Sequence, residues 1–184
     1  MTEIKDSPQE TPASQKSEVW AEVHDYALAL YTDGSCYYKD KIGGCSAVAV
    51  SKVFDVFEIT KIGSTHTTVE RMELEGLLSG LQAFLEATNM KDRKSQAKLR
   101  VSPISVFWLT DRLNLCQSVN RELPRQTNGD MWARLAWYEQ LFKIKGHHAA
   151  RNSHSYQALA DLISSDCRKL IKNYETDYDK LKSR

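Results

Sequence analysis

Two apolar runs of this chain end in the same pair of residues. Tyr31-Thr32-Asp33 and Leu109-Thr110-Asp111 each place a carboxylate directly after a stretch of strand length. In mixed α/β sheets, side chains at such strand ends can meet in one crevice. A third carboxylate, Glu73, lies in the first turns of a helical segment, within Arg71-Met72-Glu73-Leu74 and off the apolar stripe of its neighbours. Each has an ordinary explanation when taken singly. Asp at a strand end is a cap or turn former, and Glu in a first helical turn is favoured by the helix dipole. Brought together the three would repel, and a divalent cation is their natural counter-charge. Magnesium takes oxygen ligands and keeps waters, so convergent carboxylates suffice without a His or Cys cage. Two such ions can activate a water near neutral pH and stabilise a charged leaving oxygen, which is what phosphodiester cleavage demands.

The elements that must position these residues follow from the apolar pattern. Tyr26 to Tyr31 is a short apolar run, which the turn chemistry of Thr32-Asp33-Gly34-Ser35 is expected to stop. Gly43-Gly44 leads into Cys45–Val50, and Val53–Thr60 alternates, so the three runs read as an antiparallel meander. Thr67 and Thr68 offer cap hydroxyls to a helix whose stripe is Met72, Leu74, Leu77, Leu78, Leu81, Phe84 and Leu85. Asn89–Arg100 reads as a charged connection, Ile104–Leu109 as a buried strand and Arg112–Val119 as a helix. After a loop from Pro124 to Gly129, Asp130 is a good N-cap for a further helix. Phe142–Lys145 is a short strand, and Tyr156–Ile171 is the last amphipathic helix. The order βββ-α-β-α-α-β-α implies a mixed sheet with helices packed on it. Trp108, Trp132, Trp137 and Tyr138 read as packing between these layers.

Five stretches, in this order along the chain, resemble the type 1 ribonuclease H family. They are Tyr-Thr-Asp-Gly-Ser (31–35), Gly-Gly-Cys-Ser-Ala-Val (43–48), Arg-Met-Glu-Leu (71–74), Leu-Thr-Asp (109–111) and Asp-Met-Trp-Ala-Arg-Leu (130–135). The match runs from about Tyr26 to Ile171. It implies an α/β fold: a mixed five-stranded sheet, three antiparallel strands and two parallel ones, with helices on both faces. It also implies a metal-dependent endonuclease that cuts the RNA strand of RNA–DNA hybrids by a two-metal-ion mechanism. Mg2+ would be the cofactor and Mn2+ its substitute. Asp33, Glu73 and Asp111 take the family's metal-binding positions, and Gly34, Ser35, Cys36 and Arg112 fall where substrate is held.

The chain departs from the family at its fourth carboxylate. Lys145-Gly146-His147 resembles the entry to the family's histidine loop, and the usual spacing from there lands on Gln157. Asp161, in Ala160-Asp161-Leu162-Ile163, offers the other alignment with a longer loop. The two lie one helical turn apart on one face. Asp161 is preferred as the fourth catalytic and metal-binding position, because a carboxylate can serve where an amide cannot. His147 matches the family's proton-shuttling histidine, with His148 and His154 beside it in the same loop. Val69 and Glu70 replace the family's paired asparagines, and Arg112 and Leu113 replace a Ser-Gln-like pair. The basic handle shrinks to Asn120–Arg125, with Arg112 left as a candidate phosphate contact. Three substrate or role alternatives stand beside the hybrid nuclease. They are a nuclease acting on duplex or structured RNA, a binding module of the same fold with weakened or lost catalysis, and a DNA-cutting nuclease of that fold.

Composition sets the outer bounds. The chain has 184 residues, 41% hydrophobic and 27% charged, with a formal net charge of +1. That balance suits one globular domain, and the net charge neither demands nor excludes a nucleic-acid partner. Residues 1–24 read as a disordered polar tail whose protein partner, if it has one, the sequence leaves unknown. Residues 25–173 read as the folded domain, and 174–184 as a polar tail. No apolar run reaches the roughly 18 residues of a membrane span, and the N-terminus does not resemble a secretory signal. Cys36, Cys45, Cys116 and Cys167 are widely spaced and fit reduced thiols, so a cytoplasmic location is expected.

Overall fold

The computed structural model describes Val23, residues 25–151 and residues 153–182. The tail expected over residues 1–24 therefore lies almost wholly outside the described residues. Five strands form one sheet: β1 (Leu28–Tyr37), β2 (Ile42–Ser51), β3 (Val56–Ser64), β4 (Ile104–Thr110) and β5 (Phe142–His148). Their spatial order is β3-β2-β1-β4-β5. β1, β2 and β3 pair antiparallel, whereas β4 pairs parallel with both β1 and β5. Among the described residues, the helices that accompany them are α1 (Val69–Ala87), α2 (Arg93–Val101), α3 (Leu113–Val119), α4 (Gly129–Tyr138) and α5 (Ser155–Lys182).

The alternation of β1 divides the core in two. Leu28 and Leu30 join Val106 and Trp108 against α1, in a cluster that includes Leu74, Leu77, Leu81 and Phe84. Ala29 and Tyr31 join Val48, Phe107 and Leu109 in a second cluster, which Ala160 of α5 closes from the other side. A central strand covered on both faces reads as a continuous apolar run, and Tyr26–Tyr31 is one. Trp108, Trp132 and Tyr138 are buried in the α1-side cluster, as expected of packing aromatics. The Trp108 indole N–H donates to Thr32 Oγ1 at 2.8 Å, fastening β4 to β1 just before both strands reach their aspartates.

Four local expectations change. The turn chemistry at Thr32–Ser35 does not stop β1, which continues to Tyr37 because β2 pairs it through Asp33↔Ser46 and Gly34↔Cys45. Tertiary pairing overrides local preference there. The charged connection contains a helix, α2, whose first N–H groups, from Lys94 and Ser95, are capped by the Asp92 carboxylate. Only Leu99 of α2 is buried, so its sequence shows almost no apolar period. Asn128, at φ 60°, holds the N-cap position of α4 in place of Asp130. Asp130 sits in the first turn and pairs with Arg71 at 2.6 Å. Finally, α5 runs on to Lys182, through the segment read as a polar tail from residue 174.

Close approach of helix to sheet is secured by glycine. A Cβ on Gly34 would stand 2.3 Å from the Glu73 backbone nitrogen and 2.6 Å from the Met72 carbonyl carbon. Those are backbone atoms of α1, so relief requires moving the helix. A Cβ on Gly129, by contrast, would meet nothing within 4 Å. Gly34→Ala is accordingly expected to destabilise the fold by about 2–4 kcal/mol, lowering Tm by roughly 2–4 °C per kcal/mol, while Gly129→Ala stays within about 0.5–1 kcal/mol of the parent. Thermal melts of the two variants check this pair.

Candidate metal centre

The parallel register of β1 with β4 ends at Tyr31↔Leu109. Asp33 and Asp111 are each two residues beyond that pair, Asp33 still within β1 and paired only with β2, Asp111 just past the end of β4, so they come side by side where the two strands part. Their threonine neighbours take the other face. Thr32 receives the Trp108 indole, and the Thr110 hydroxyl donates to Glu73 Oε2 at 3.4 Å. The repeated Thr-Asp ending thus has one physical sense at both sites: threonine fastens the α1 side while aspartate enters the crevice.

Glu73 reaches the same point from the first turns of α1. The Thr68 hydroxyl accepts from the Arg71 N–H, capping the helix N-terminus, and Gly34 lets that turn press onto β1. The Gly34 backbone N–H donates to the Glu73 carboxylate. One carboxylate oxygen from each of Asp33, Glu73 and Asp111 lies within 4.8 Å of the others. Asp33 and Glu73 are each only 1% exposed. Burial, then the neighbouring carboxylates Asp33 and Asp111, push the Glu73 carboxyl well above its ordinary range. Asp33 is also raised, chiefly by burial, against the opposing hydrogen bond from the Ser164 hydroxyl of α5. Buried oxygens Asp33 Oδ1 and Asp111 Oδ1 have no hydrogen-bond partner. Hard oxygen donors, crowded and left over from hydrogen bonding, are a set that fits a divalent cation.

The fourth position divides between the two candidates. Gln157 is 2% exposed, and its amide Nε2 donates to the Thr32 carbonyl at 2.7 Å. Asp161 stays partly open, with its carboxylate Oδ1 3.3 Å from Arg151 Nη2. The same guanidinium stands 3.3 Å from Asp111 Oδ2 and 3.8 Å from Asp33 Oδ1. Asp161 therefore shares a cation with two members of the triad, while Gln157 is built into the floor below them.

The other expected site residues are placed as follows. Ser35 is buried, with its hydroxyl 3.4 Å from the Gly44 carbonyl, and the Cys36 thiol lies 3.6 Å from the Thr67 carbonyl. Arg112 Nε is 3.8 Å from Glu73 Oε1. His147 belongs to β5, its ring stacked on Phe107 at 4.2 Å and 3.3 Å from the Tyr26 hydroxyl. His154 is buried and stacked on Tyr31 at 4.3 Å, where burial lowers its pKa, and its Nδ1 accepts from the Tyr156 N–H. His148 pairs in β5 opposite Thr110 and is exposed. A cleft of about 670 Å³ opens beside Asp111, walled by Arg112, Asn114, Arg125, Thr127 and Trp132. The shortened basic handle is spent internally: Arg121 and Arg125 both pair with Glu139, and Arg125 lies over Trp132.

Sequence reasoning missed Arg151 and Ser164. No periodicity marks an arginine in an irregular loop. Ser164 does carry a weak signal, since it lies three residues beyond Asp161 and so shares its helix face.

A mixed sheet in this order, with carboxylates gathered from within β1, the end of β4 and the start of α1, defines a ribonuclease H-like protein. The profile of the RNase H family matches residues 25–166, and the chain belongs to that family. It is an endoribonuclease of the RNase H type. A ribonuclease H of Caldicellulosiruptor saccharolyticus is 26% identical over 147 residues, covering 79% of this chain and 96% of that relative. The N-terminal RNase H domain of a Mycobacterium tuberculosis protein superposes with a TM-score of 0.62 at 14% identity, over 82% of this chain and 99% of that one. LC11-RNase H1, solved in complex with an RNA/DNA hybrid, gives 0.59 at 15% identity, over 76% of this chain and 94% of its own. Among the described residues no helix is long and apolar enough to cross a membrane.

The raised carboxyls carry a pH dependence with a definite sign. A carboxyl whose pKa is raised on folding favours the folded state fully below its unfolded value, and loses that contribution as pH rises through the folded value. Metal-free protein should therefore melt lower at about pH 8 than at about pH 5.5. Glu73→Gln keeps the acceptor for Gly34 and removes the charge, so its Tm at about pH 8 should exceed the parent's by roughly 2–6 °C. A lower Tm for Glu73→Gln would mean that the pairing with Arg112 outweighs burial and repulsion.

Proposed function

We propose that this chain hydrolyses the RNA strand of RNA–DNA hybrids by a two-metal-ion mechanism at Asp33, Glu73 and Asp111, with Asp161 as the fourth carboxylate. The observation that carries the reading is the convergence of three carboxylates within 4.8 Å, two of them almost fully buried. Holding that arrangement without a cation is costly, so the site is built for one. Magnesium, or manganese in its place, would supply Lewis-acid polarisation of the phosphate and a more acidic attacking water.

The chain's own residues supply orientation and exclusion of water. The Gly34 N–H and Thr110 hydroxyl fix Glu73, and the Ser164 hydroxyl fixes Asp33, so neither carboxylate rotates freely. Gly34, Ser35 and Cys36 continue β1 past Asp33 as the edge along which the substrate backbone would lie. Arg112, which lines the cleft beside Asp111, would meet a phosphate there. His147 is the proposed proton carrier for the leaving oxygen, and that role requires its ring to leave the stack on Phe107.

The hybrid is preferred over other substrates on the family's chemistry together with the retained carboxylates. Duplex or structured RNA is the second reading. It is favoured by Val69 and Glu70 in place of paired asparagines, since Glu70 lines the cleft and adds negative charge where an amide would read the minor groove. The folded protein would act in the cytoplasm.

A side-by-side cleavage assay with hybrid, duplex RNA and DNA, in Mg2+ or Mn2+, tests the whole reading. Asp33→Asn and Asp111→Asn should each lower kcat on the hybrid by about a thousandfold or more, without loss of fold. Asp161→Asn should cost roughly tenfold to a hundredfold, and Gln157→Glu should not exceed the parent if Asp161 is the fourth ligand. Cutting of duplex RNA in preference to the hybrid would transfer the assignment to the second reading. No cleavage of any substrate with either metal would refute both.

A further inference from the structure

We infer that Arg151 is a resident counter-ion of the metal centre, which an incoming divalent cation must displace. The inference rests on the reading of Asp33, Glu73 and Asp111 as metal ligands.

The Arg151 guanidinium lies 3.3 Å from Asp111 Oδ2, 3.3 Å from Asp161 Oδ1 and 3.8 Å from Asp33 Oδ1. Three carboxylates, one on β1, one just past the end of β4 and one on α5, thus converge on one cation supplied from a loop. Two of the carboxylates it faces, Asp33 and Asp111, belong to the acidic triad, and it faces the unpartnered Asp33 Oδ1 itself, so a guanidinium here competes with a dication for the same groups. Asp33 Oδ1, which is buried, lacks a hydrogen bond even with Arg151 nearby. A planar fork neutralises this set without saturating it, whereas a dication with its waters would do both.

Arg151 is also built to leave. Its side chain is 57% exposed, against 11% for Arg125, which is packed over Trp132 and locked on Glu139. Swinging Arg151 into solvent breaks three ion pairs but opens no cavity in either core cluster. In the metal-free state it lowers the repulsion among carboxylates; in the loaded state it is surplus. Metal binding is then an exchange, and the observed affinity is reduced by the fraction of molecules in which Arg151 still holds the site. Because the competitor is partly exposed, salt weakens it.

Calorimetric titration of the full chain with Mn2+ at low ionic strength tests this, using Arg151→Gln, Arg151→Lys and, as a remote control, Arg121→Gln. Arg151→Gln should bind Mn2+ roughly tenfold more tightly than the parent, with the gap narrowing as salt is added, and Arg121→Gln should stay within about twofold. Arg151→Lys, which keeps a charge but loses the fork, should fall between. Without metal, Arg151→Gln should melt below the parent at about pH 8, and saturating Mn2+ should bring the two together. Equal or weaker Mn2+ binding by folded Arg151→Gln overturns the role of Arg151 while leaving the metal centre in place. Absence of Mn2+ binding in every variant, with folded melts, overturns the metal reading and this inference together.

Discussion

The mutual repulsion of Asp33, Glu73 and Asp111 is the constraint around which the rest of the molecule is arranged. Two of these carboxylates are nearly inaccessible to water, and the third lies beside them. Ionised groups in such a place cost several kcal/mol each unless compensated. The compensation visible in the chain is incomplete: one backbone N–H and a threonine hydroxyl on Glu73, a serine hydroxyl on Asp33, and two arginines at or beyond 3.3 Å. The fold therefore stores, at one end of its sheet, an unfavourable electrostatic arrangement that a cation would relieve. A site optimised for its ligand is poorly optimised for its own stability, as is common where catalysis needs preorganised charge.

The scaffold tolerates this because the supporting contacts lie elsewhere. β1 is central, paired on both edges and covered on both faces, so its position is fixed before it reaches Asp33. The Trp108–Thr32 hydrogen bond ties β4 to it one residue short of the aspartate. Gly34 lets α1 descend to bring Glu73 into range, and Gly44 does the same for α5, where a Cβ would meet Ser164 O and Arg168 N at 2.6 Å. Two helices on opposite faces thus press against one meander at glycines. Each of them contributes to the acidic cluster, α1 through Glu73 and α5 through Ser164 and Asp161.

What is legible in the sequence divides along the same line. The strand and helix order, the helix carrying Glu73 and the aspartate pair follow from apolar periodicity and a repeated tripeptide, because these are burial signals that a local window contains. α2 is hidden because Leu99 is its single buried residue, and periodicity cannot register one point. β1 reads short because Thr32–Ser35 has the composition of a turn, while the antiparallel partners that keep it extended lie on another strand. Arg151 is illegible for a related reason. A loop arginine acquires its meaning only from three carboxylates brought in from distant parts of the chain.

The arginines also separate chemistry from recognition. Arg121 and Arg125, the remnant of the handle, are both committed to Glu139, and Arg112 inclines toward Glu73. Their positive charge is therefore largely offset before any phosphate arrives, in keeping with a chain whose formal net charge is only +1. Binding carried by such a surface gains little from long-range attraction and depends on contact geometry along the cleft beside Asp111. Arg151 is the cation in this region that changes partners on metal entry. Once displaced into solvent at the rim of the carboxylates, its charge would be unspent. The same event that completes the metal centre would then deliver a positive group to the substrate side, linking occupancy of the carboxylates to the hold on the strand that is cut.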